Sequence, residues 1–414
     1  MQVQKIQAHA RRTLRPLIAV LAVATASGAR ADEPTPYYVG VRQSFTHDSN
    51  VYRISGGPAD NYSSTGLLGG FDQTISRQRL YASGNVNYNK YRSLGTLDNT
   101  SYGVNAGWDW ATIETLSGNV NASANQSLAT LNNNASQPLA ARNILKTDQF
   151  GTSVRWGGER LLTLDGSYSH SRVRYSAAQY LSSQSSADAA SVGAKYRLGA
   201  DVTVGGALRF TRTESPFAVL LAPGVYQSNT ADGRNLDLTA NWRTTPQTGV
   251  NARLSWTRQT NSGIGGLNFS GLTGALSANY APTAKLTFSA ALSRDAGSYS
   301  SLFNYPGATA GTSTQSLSVN SQTTDLFSLG AGYAATAKIS LNAGVQYSRA
   351  KLVDAAGGRQ NDNTRSASFG ADYAIARNWQ LSCNLAHVSR TLQGNAGYSY
   401  TDNTASCSAQ YTLR

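Results

Sequence analysis

Nine aromatic residues recur along the chain at intervals of 38 to 53 residues: Phe71, Trp110, Trp156, Tyr196, Trp242, Tyr280, Tyr333, Tyr373 and Tyr411. A shared frame surrounds them. Tyr280-Ala-Pro-Thr-Ala-Lys-Leu-Thr-Phe-Ser aligns with Tyr333-Ala-Ala-Thr-Ala-Lys-Ile-Ser-Leu-Asn and with Tyr373-Ala-Ile-Ala-Arg-Asn-Trp-Gln-Leu-Ser. Each aromatic ends one run and a short turn begins the next. The pairs Trp110/Leu116, Trp156/Leu162 and Tyr196/Val202 keep the same interval, while Trp242/Val250 and Phe71/Leu80 are looser. A repeat of this length points to a reiterated supersecondary unit.

Within each unit the residues alternate with period two, the mark of a strand with two unlike faces. Leu236, Leu238 and Ala240 share the face of Trp242, and Asp237, Thr239 and Asn241 oppose them. Ile339, Leu341, Ala343, Val345 and Tyr347 alternate with Ser340, Asn342, Gly344, Gln346 and Ser348. The runs are about 10 to 13 residues long, enough for a tilted strand to cross a bilayer. Short connections follow the aromatics. The opposite connections, 47–62, 127–147, 214–232 and 295–322, are long. Short turns at one end and long loops at the other describe an outer-membrane β-barrel. Nine units of two strands give an all-β, antiparallel, up-and-down barrel of 18 strands, with the aromatics in its periplasmic girdle. A β-propeller also repeats at this length, but its blades hold four short strands and number about four to eight.

Composition excludes the other classes. Only 14% of the 414 residues are charged and 40% are hydrophobic. The longest apolar run, Leu17 to Ala26, is half the length of a spanning helix. The 22 Tyr, 10 Phe and 6 Trp argue against a disordered chain. Residues 1–31 read as a signal peptide: Lys5, Arg11, Arg12 and Arg15 precede an apolar core, and Ala29-Arg30-Ala31 forms a small-x-small cleavage site. The barrel is then expected over 32–414, in the outer membrane of a bacterium. Removing the five basic residues of the signal from the total of 35 leaves 30, against 22 acids, a net of +8. For an exported chain this mild surplus suits anionic solutes or lipopolysaccharide phosphates, not nucleic acid.

With the face of Trp242 turned to lipid, Arg42, Arg79, Asp109, Arg155, Asp165, Lys195, Arg209, Asp237, Arg253 and Asp372 fall on the lumen face. A charge on the lipid face costs about 2–4 kcal/mol at the midplane. Six basic and four acidic groups there either pair with one another and stiffen the wall or meet solute. Asp48, Asn50 and Arg53 sit where the first strand enters its outer loop, and there they tie that loop or recognise sugar. If Trp379 opposes Tyr411, the same register makes Cys383 and Cys407 cross-strand neighbours, either a disulfide or two lipid-facing thiols. Beyond the signal only His47, His170 and His387 remain. No nucleophile elbow, metal spacing or phosphate loop is present, so neither enzyme, metal nor cofactor is expected. His47 and Asp48 near Ser44 and Ser49 are the one hint of a hydrolase.

The segment Thr35-Pro-Tyr-Tyr-Val-Gly-Val-Arg-Gln-Ser-Phe-Thr-His-Asp48-Ser-Asn50-Val-Tyr-Arg53 resembles the opening of a β-barrel porin family that includes EpsL-type outer-membrane proteins of exopolysaccharide gene clusters. The resemblance spans about twenty residues, and the ending Tyr411-Thr-Leu-Arg414 departs from the terminal aromatic of many such barrels. It implies a conduit for exopolysaccharide export, with outer-membrane lipid, a polysaccharide or other polar solute, and periplasmic export components as partners. The alternatives are a general or sugar-uptake porin, with 295–322 as the constricting loop, and a structural barrel or adhesin with a plugged lumen.

Overall fold

The computed structural model describes residues 35–129, 142–158, 160–222, 224–245, 247–263, 268–296, 321–353, 359–393 and 399–414. The expected signal segment 1–31 and nearly all of loop 295–322 lie outside the described residues. Tyr37–Leu413 form one compact unit.

That unit is built of 18 strands. The first nine are β1 (Tyr37–Asp48), β2 (Asp60–Ile75), β3 (Gln78–Tyr91), β4 (Asn99–Ala111), β5 (Leu116–Leu128), β6 (Ile144–Trp156), β7 (Leu162–Tyr175), β8 (Ser185–Leu198) and β9 (Val202–Ala222). The rest are β10 (Val225–Thr245), β11 (Thr248–Asn261), β12 (Phe269–Thr283), β13 (Leu286–Ala296), β14 (Ser321–Ala334), β15 (Ile339–Val353), β16 (Arg359–Ala376), β17 (Trp379–Leu392) and β18 (Tyr400–Leu413). Each strand pairs antiparallel with its sequence neighbour, and β1 pairs with β18, so the sheet closes. Closure leaves no strand edge, which is the condition for strands to cross lipid.

The repeat has a direct structural meaning. The nine aromatics end β2, β4, β6, β8, β10, β12, β14, β16 and β18 at the end of the barrel where connections are two to five residues. By register, Trp242 faces Val250, Tyr280 faces Phe288, Tyr373 faces Leu381 and Tyr411 faces Trp379. The Trp379 and Tyr411 ring centroids are 5.0 Å apart. The large outward side chains of the wall stay solvent-exposed in the isolated barrel, including Leu236, Leu238, Trp242, Leu254, Trp256 and Leu272. An exterior of this kind is stable only against acyl chains. Closed, even-stranded, apolar outside and polar inside, this is a bacterial outer-membrane β-barrel, and the short turns mark its periplasmic end.

The strands run from 11 to 21 residues, most of them longer than the alternation alone implied. The largest departure is at 214–232, expected as a loop. β9 and β10 continue through it as a hairpin, with only residues 223 and 224 between them. Gly224 turns the chain at a φ of +78°, a conformation open to glycine. The pairing slips near Pro216, where Gln227 faces Val219 but Asn229 faces Ser215. Proline has no N–H for the ladder, so the slip falls there. Phe217 and Tyr226 pack edge to face across the hairpin at 5.3 Å.

A barrel has no ordinary core, and its buried apolar groups gather at the extracellular mouth. Val51 and Leu97 form one cluster with Tyr52, Tyr91, Leu94 and Leu128 around it. Ala129, Val173, Tyr175 and Tyr180 form another. Both sit at loop bases, where satellite clusters are usual.

Candidate functional site

Strand parity turns all ten candidate charges away from the exposed apolar face and into the lumen. The registers then sort them into two stretches of wall.

Along β3 to β8, near the periplasmic end, Arg79, Asp109, Arg155, Asp165 and Lys195 line a hollow of about 600 Å³. Arg79 donates from Nε and Nη2 to Asp72 at 2.8 and 2.5 Å, with Asp109 at 3.8 Å. The Arg79 guanidinium also lies 5.1 Å from the centre of the Tyr81 ring. That ring covers Gly107, where an added Cβ would come within 2.2 Å of it. Lys195 Nζ pairs with Asp165 at 2.9 Å. Arg155 stands opposite Asp165 in the register and has no ion-pair partner among the described residues. This wall is open: the Arg79 and Asp72 side chains are each 50% exposed.

Along β9 to β13 the same residue types form a buried ladder. Arg209 donates to both oxygens of Asp237, at 2.8 and 3.2 Å. Arg253 Nη1 is 4.0 Å from Asp237, and its Nη2 donates to Asp295 at 2.7 Å. Ser255, Thr257 and Thr273 are buried beside it, and the Thr257 and Thr273 hydroxyls are 2.8 Å apart. The side chain of Arg253 is 3% exposed.

The remaining two lumen candidates join neither group. Arg42 donates to Ser408 Oγ at 3.1 Å. Asp372 accepts from Ser382 Oγ at 2.6 Å and from Asn342 at 3.4 Å.

At the mouth, Asp48, Asn50 and Arg53 come together and are turned into the wall. Arg53 Nη2 pairs with Asp48 at 3.1 Å, and its Nη1 pairs with Asp402 on β18. Asn50 donates to the carbonyls of Ile54 at 2.7 Å and Thr401 at 3.0 Å. Its backbone N–H donates to Asp48 at 2.9 Å. These bonds tie the first loop to β18 at the seam where the barrel closes.

Sequence reasoning did not single out Asp72, Asp295, Asp362, Arg390 or Asp402. Arg390 holds Asp362 with two bonds of 2.9 and 2.6 Å, and both side chains are buried. Parity places these residues inside, but nothing local in the sequence says which partner each one meets.

The histidines bind other groups. His47 Nδ1 meets Asn61 Oδ1 at 3.0 Å, His387 meets Asn403 at 2.8 Å, and His170 meets Asp188 at 2.8 Å. Ser49, the serine nearest His47 in the hydrolase hint, gives its hydroxyl to Asp402 at 3.2 Å. Among the described residues no group of three His, Cys, Asp or Glu could hold a metal ion. On the lipid face Cys383 and Cys407 are directly opposed and joined as a disulfide, with their Cα atoms 4.1 Å apart.

No protein-family model matches the chain, and no curated protein matches it in sequence. Solved structures similar to it include the outer membrane protein OpdK of Pseudomonas aeruginosa, at 12% identity and a TM-score of 0.47 over 91% of this chain and 99% of that one. OccAB4 of Acinetobacter baumannii is 10% identical, with a TM-score of 0.45 over 92% and 100% of the two chains. The siderophore receptor PirA of Acinetobacter baumannii is 8% identical, with a TM-score of 0.42 over 93% of this chain and 81% of that one.

Proposed function

We propose that this barrel is a passive outer-membrane porin that admits small polar solutes and mildly favours anions. One observation carries the reading: the open charged wall of β3 to β8, where Arg79, Arg155 and Lys195 face Asp109 and Asp165 around a hollow of about 600 Å³. Pockets for small molecules span about 300–1,000 Å³. Mixed charges on a wet wall lower the barrier for a polar solute without holding it tightly, which is the requirement for conduction. Arg77 also lines this hollow, so four cations (Arg77, Arg79, Arg155 and Lys195) meet three acids (Asp72, Asp109 and Asp165), which tips the balance toward anions. A solute entering here exchanges water for hydrogen bonds to Ser, Asn, Arg and Asp groups on neighbouring strands.

The export conduit implied by the resemblance at residues 35–53 is the second reading. The polar groups that carry that resemblance, Asp48, Asn50 and Arg53, are spent on the wall, which favours the porin.

Planar-bilayer recording of the refolded barrel tests both readings. A porin gives steady open-channel current with a mildly anion-selective reversal potential, and vesicles containing it swell in small sugars and organic acids. Block by long neutral polysaccharide together with exclusion of small solutes would favour the conduit. A barrel that carries no current would overturn both readings in favour of a plugged structural barrel or adhesin.

A further inference from the structure

The outward face of the wall changes character at its extracellular edge. On β10, Arg234 shares the lipid-facing parity of Trp242 and lies eight residues above it. At about 3.3 Å per residue and a tilt of about 40° this is about 20 Å above the periplasmic girdle, near the top of an apolar band about 25 Å tall. Arg234 is the direct partner of Arg258 on β11, and Arg258 is the direct partner of Ser270 on β12. All three are exposed. Among the described residues neither arginine has a hydrogen-bond or ion-pair partner. Like charges directly opposite one another destabilise a sheet, so this row is incomplete as it stands.

Three other arginines on the same rim are supplied with acids. Arg174 pairs with Asp148 at 2.6 Å, Arg212 with Glu214 at 3.1 Å and Arg294 with Asp325 at 3.2 Å. Asp232, the acid on that face of β10, lies opposite Arg212. One row below Arg234, Arg258 and Ser270 stand Leu236, Trp256 and Leu272, again direct partners and each more than half exposed. Two guanidinium forks and a hydroxyl thus sit on an apolar shelf at the level where acyl chains give way to headgroups. Guanidinium forks match phosphate oxygens two bonds at a time.

We infer that Arg234, Arg258 and Ser270 bind a phosphate of the phosphorylated glycolipid in the outer leaflet, whose acyl chains lie along Leu236, Trp256 and Leu272. The site faces lipid and does not depend on passage of solute, so a barrel that conducts nothing would still hold the lipid.

The test uses the full chain refolded in zwitterionic micelles and native mass spectrometry with three probes: bis-phosphorylated lipid A, dephosphorylated lipid A and inorganic phosphate. The unaltered barrel is expected to retain the bis-phosphorylated lipid and release the dephosphorylated one. Arg234→Gln with Arg258→Gln should weaken retention about tenfold to a hundredfold, the loss of one or more charged hydrogen bonds. The doubly Lys-substituted barrel, Arg234→Lys with Arg258→Lys, should fall between, because the charge remains and the fork is gone. Arg294→Gln, at the same rim but in a paired site, should leave retention unchanged. Circular dichroism confirms that each variant keeps its strands. Equal retention of the two lipids, equal loss in Arg294→Gln, or no loss in the double Gln variant would overturn the assignment. Inorganic phosphate binding as tightly as the lipid would also overturn it, in favour of a free anion.

Discussion

Two stretches of the lumen wall use the same residues to opposite ends. On β2 to β8 the Arg79 and Asp72 side chains are half exposed, and Lys195 and Asp165 remain partly open to the lumen at 28% and 26%. On β9 to β13 Arg253 and Asp237 are 3% and 7% exposed. Exposed ion pairs contribute about 0–1 kcal/mol, because water screens them and the long side chains lose freedom on pairing. In a buried ladder each charge has given up its hydration, so losing one member strands the others. The first stretch is therefore free to interact with solute at little cost in stability, and the second holds the wall at the expense of availability. Chemical type does not separate a solute-facing charge from a structural one. Burial does.

The contrast is sharpest at Arg253. Arg253→Met leaves Asp295 and Asp237 facing a methyl-ended chain, and it should lower stability by about 3–5 kcal/mol, measured by urea unfolding in lipid vesicles. A loss below about 1 kcal/mol would erase the distinction between the two stretches, since that is the range of an exposed pair. Adding Asp295→Leu to Arg253→Met removes the stranded carboxylate and should bring stability back to within about 1–2 kcal/mol of the unaltered barrel. A double variant no better than the single one would mean that Asp295 is not the charge left uncompensated.

On the open stretch the readout moves from stability to current. Lys195→Glu should lower unfolding free energy by about 1–2 kcal/mol, the lost pair plus a second carboxylate beside Asp165, while shifting the reversal potential toward cations. An unchanged potential would remove this wall from the conduction path. Smallest of all, Arg79→Ala should leave the urea unfolding midpoint in lipid vesicles almost unchanged, because water screens an exposed pair. The selectivity difference between Lys195→Glu and the unaltered barrel should also shrink as salt rises from 0.1 to 1 M, where the screening length falls from about 10 to about 3 Å. The stability deficit of Arg253→Met should hardly respond to the same change, because buried charges are screened far less.

Much of the barrel was legible from local pattern. Period-two alternation around Trp242 and Tyr333 identifies strands and their faces, and the spacing from Phe71 to Tyr411 counts hairpins. The pairing of Trp379 with Tyr411 carries Cys383 to Cys407 by register alone. The hairpin at 214–232 escaped because polar residues around Glu214 and Asn229 resemble loop chemistry, although Phe217-Ala-Val-Leu-Leu-Ala is a strand-like run ahead of a Pro-Gly turn. Among the candidate lumen residues, parity set the direction of each side chain but not its partner. Arg79 meets Asp72 across a tight turn, while Arg253 reaches past β12 to Asp295.

What the sequence determines by itself is therefore whatever depends on near neighbours along the chain: strand, face, hairpin, and the side of the membrane on which each turn falls. A strand's two faces are set by its own dihedral angles, so the pattern is readable one strand at a time. Partnership between strands is decided only when the sheet closes and every register is set at once. That closure stacks Arg234, Arg258 and Ser270 in one row, ties Arg53 to Asp402 across the seam, and buries Arg253 while leaving Arg155 open. These residues lie tens to hundreds of positions apart, and no local rule relates them.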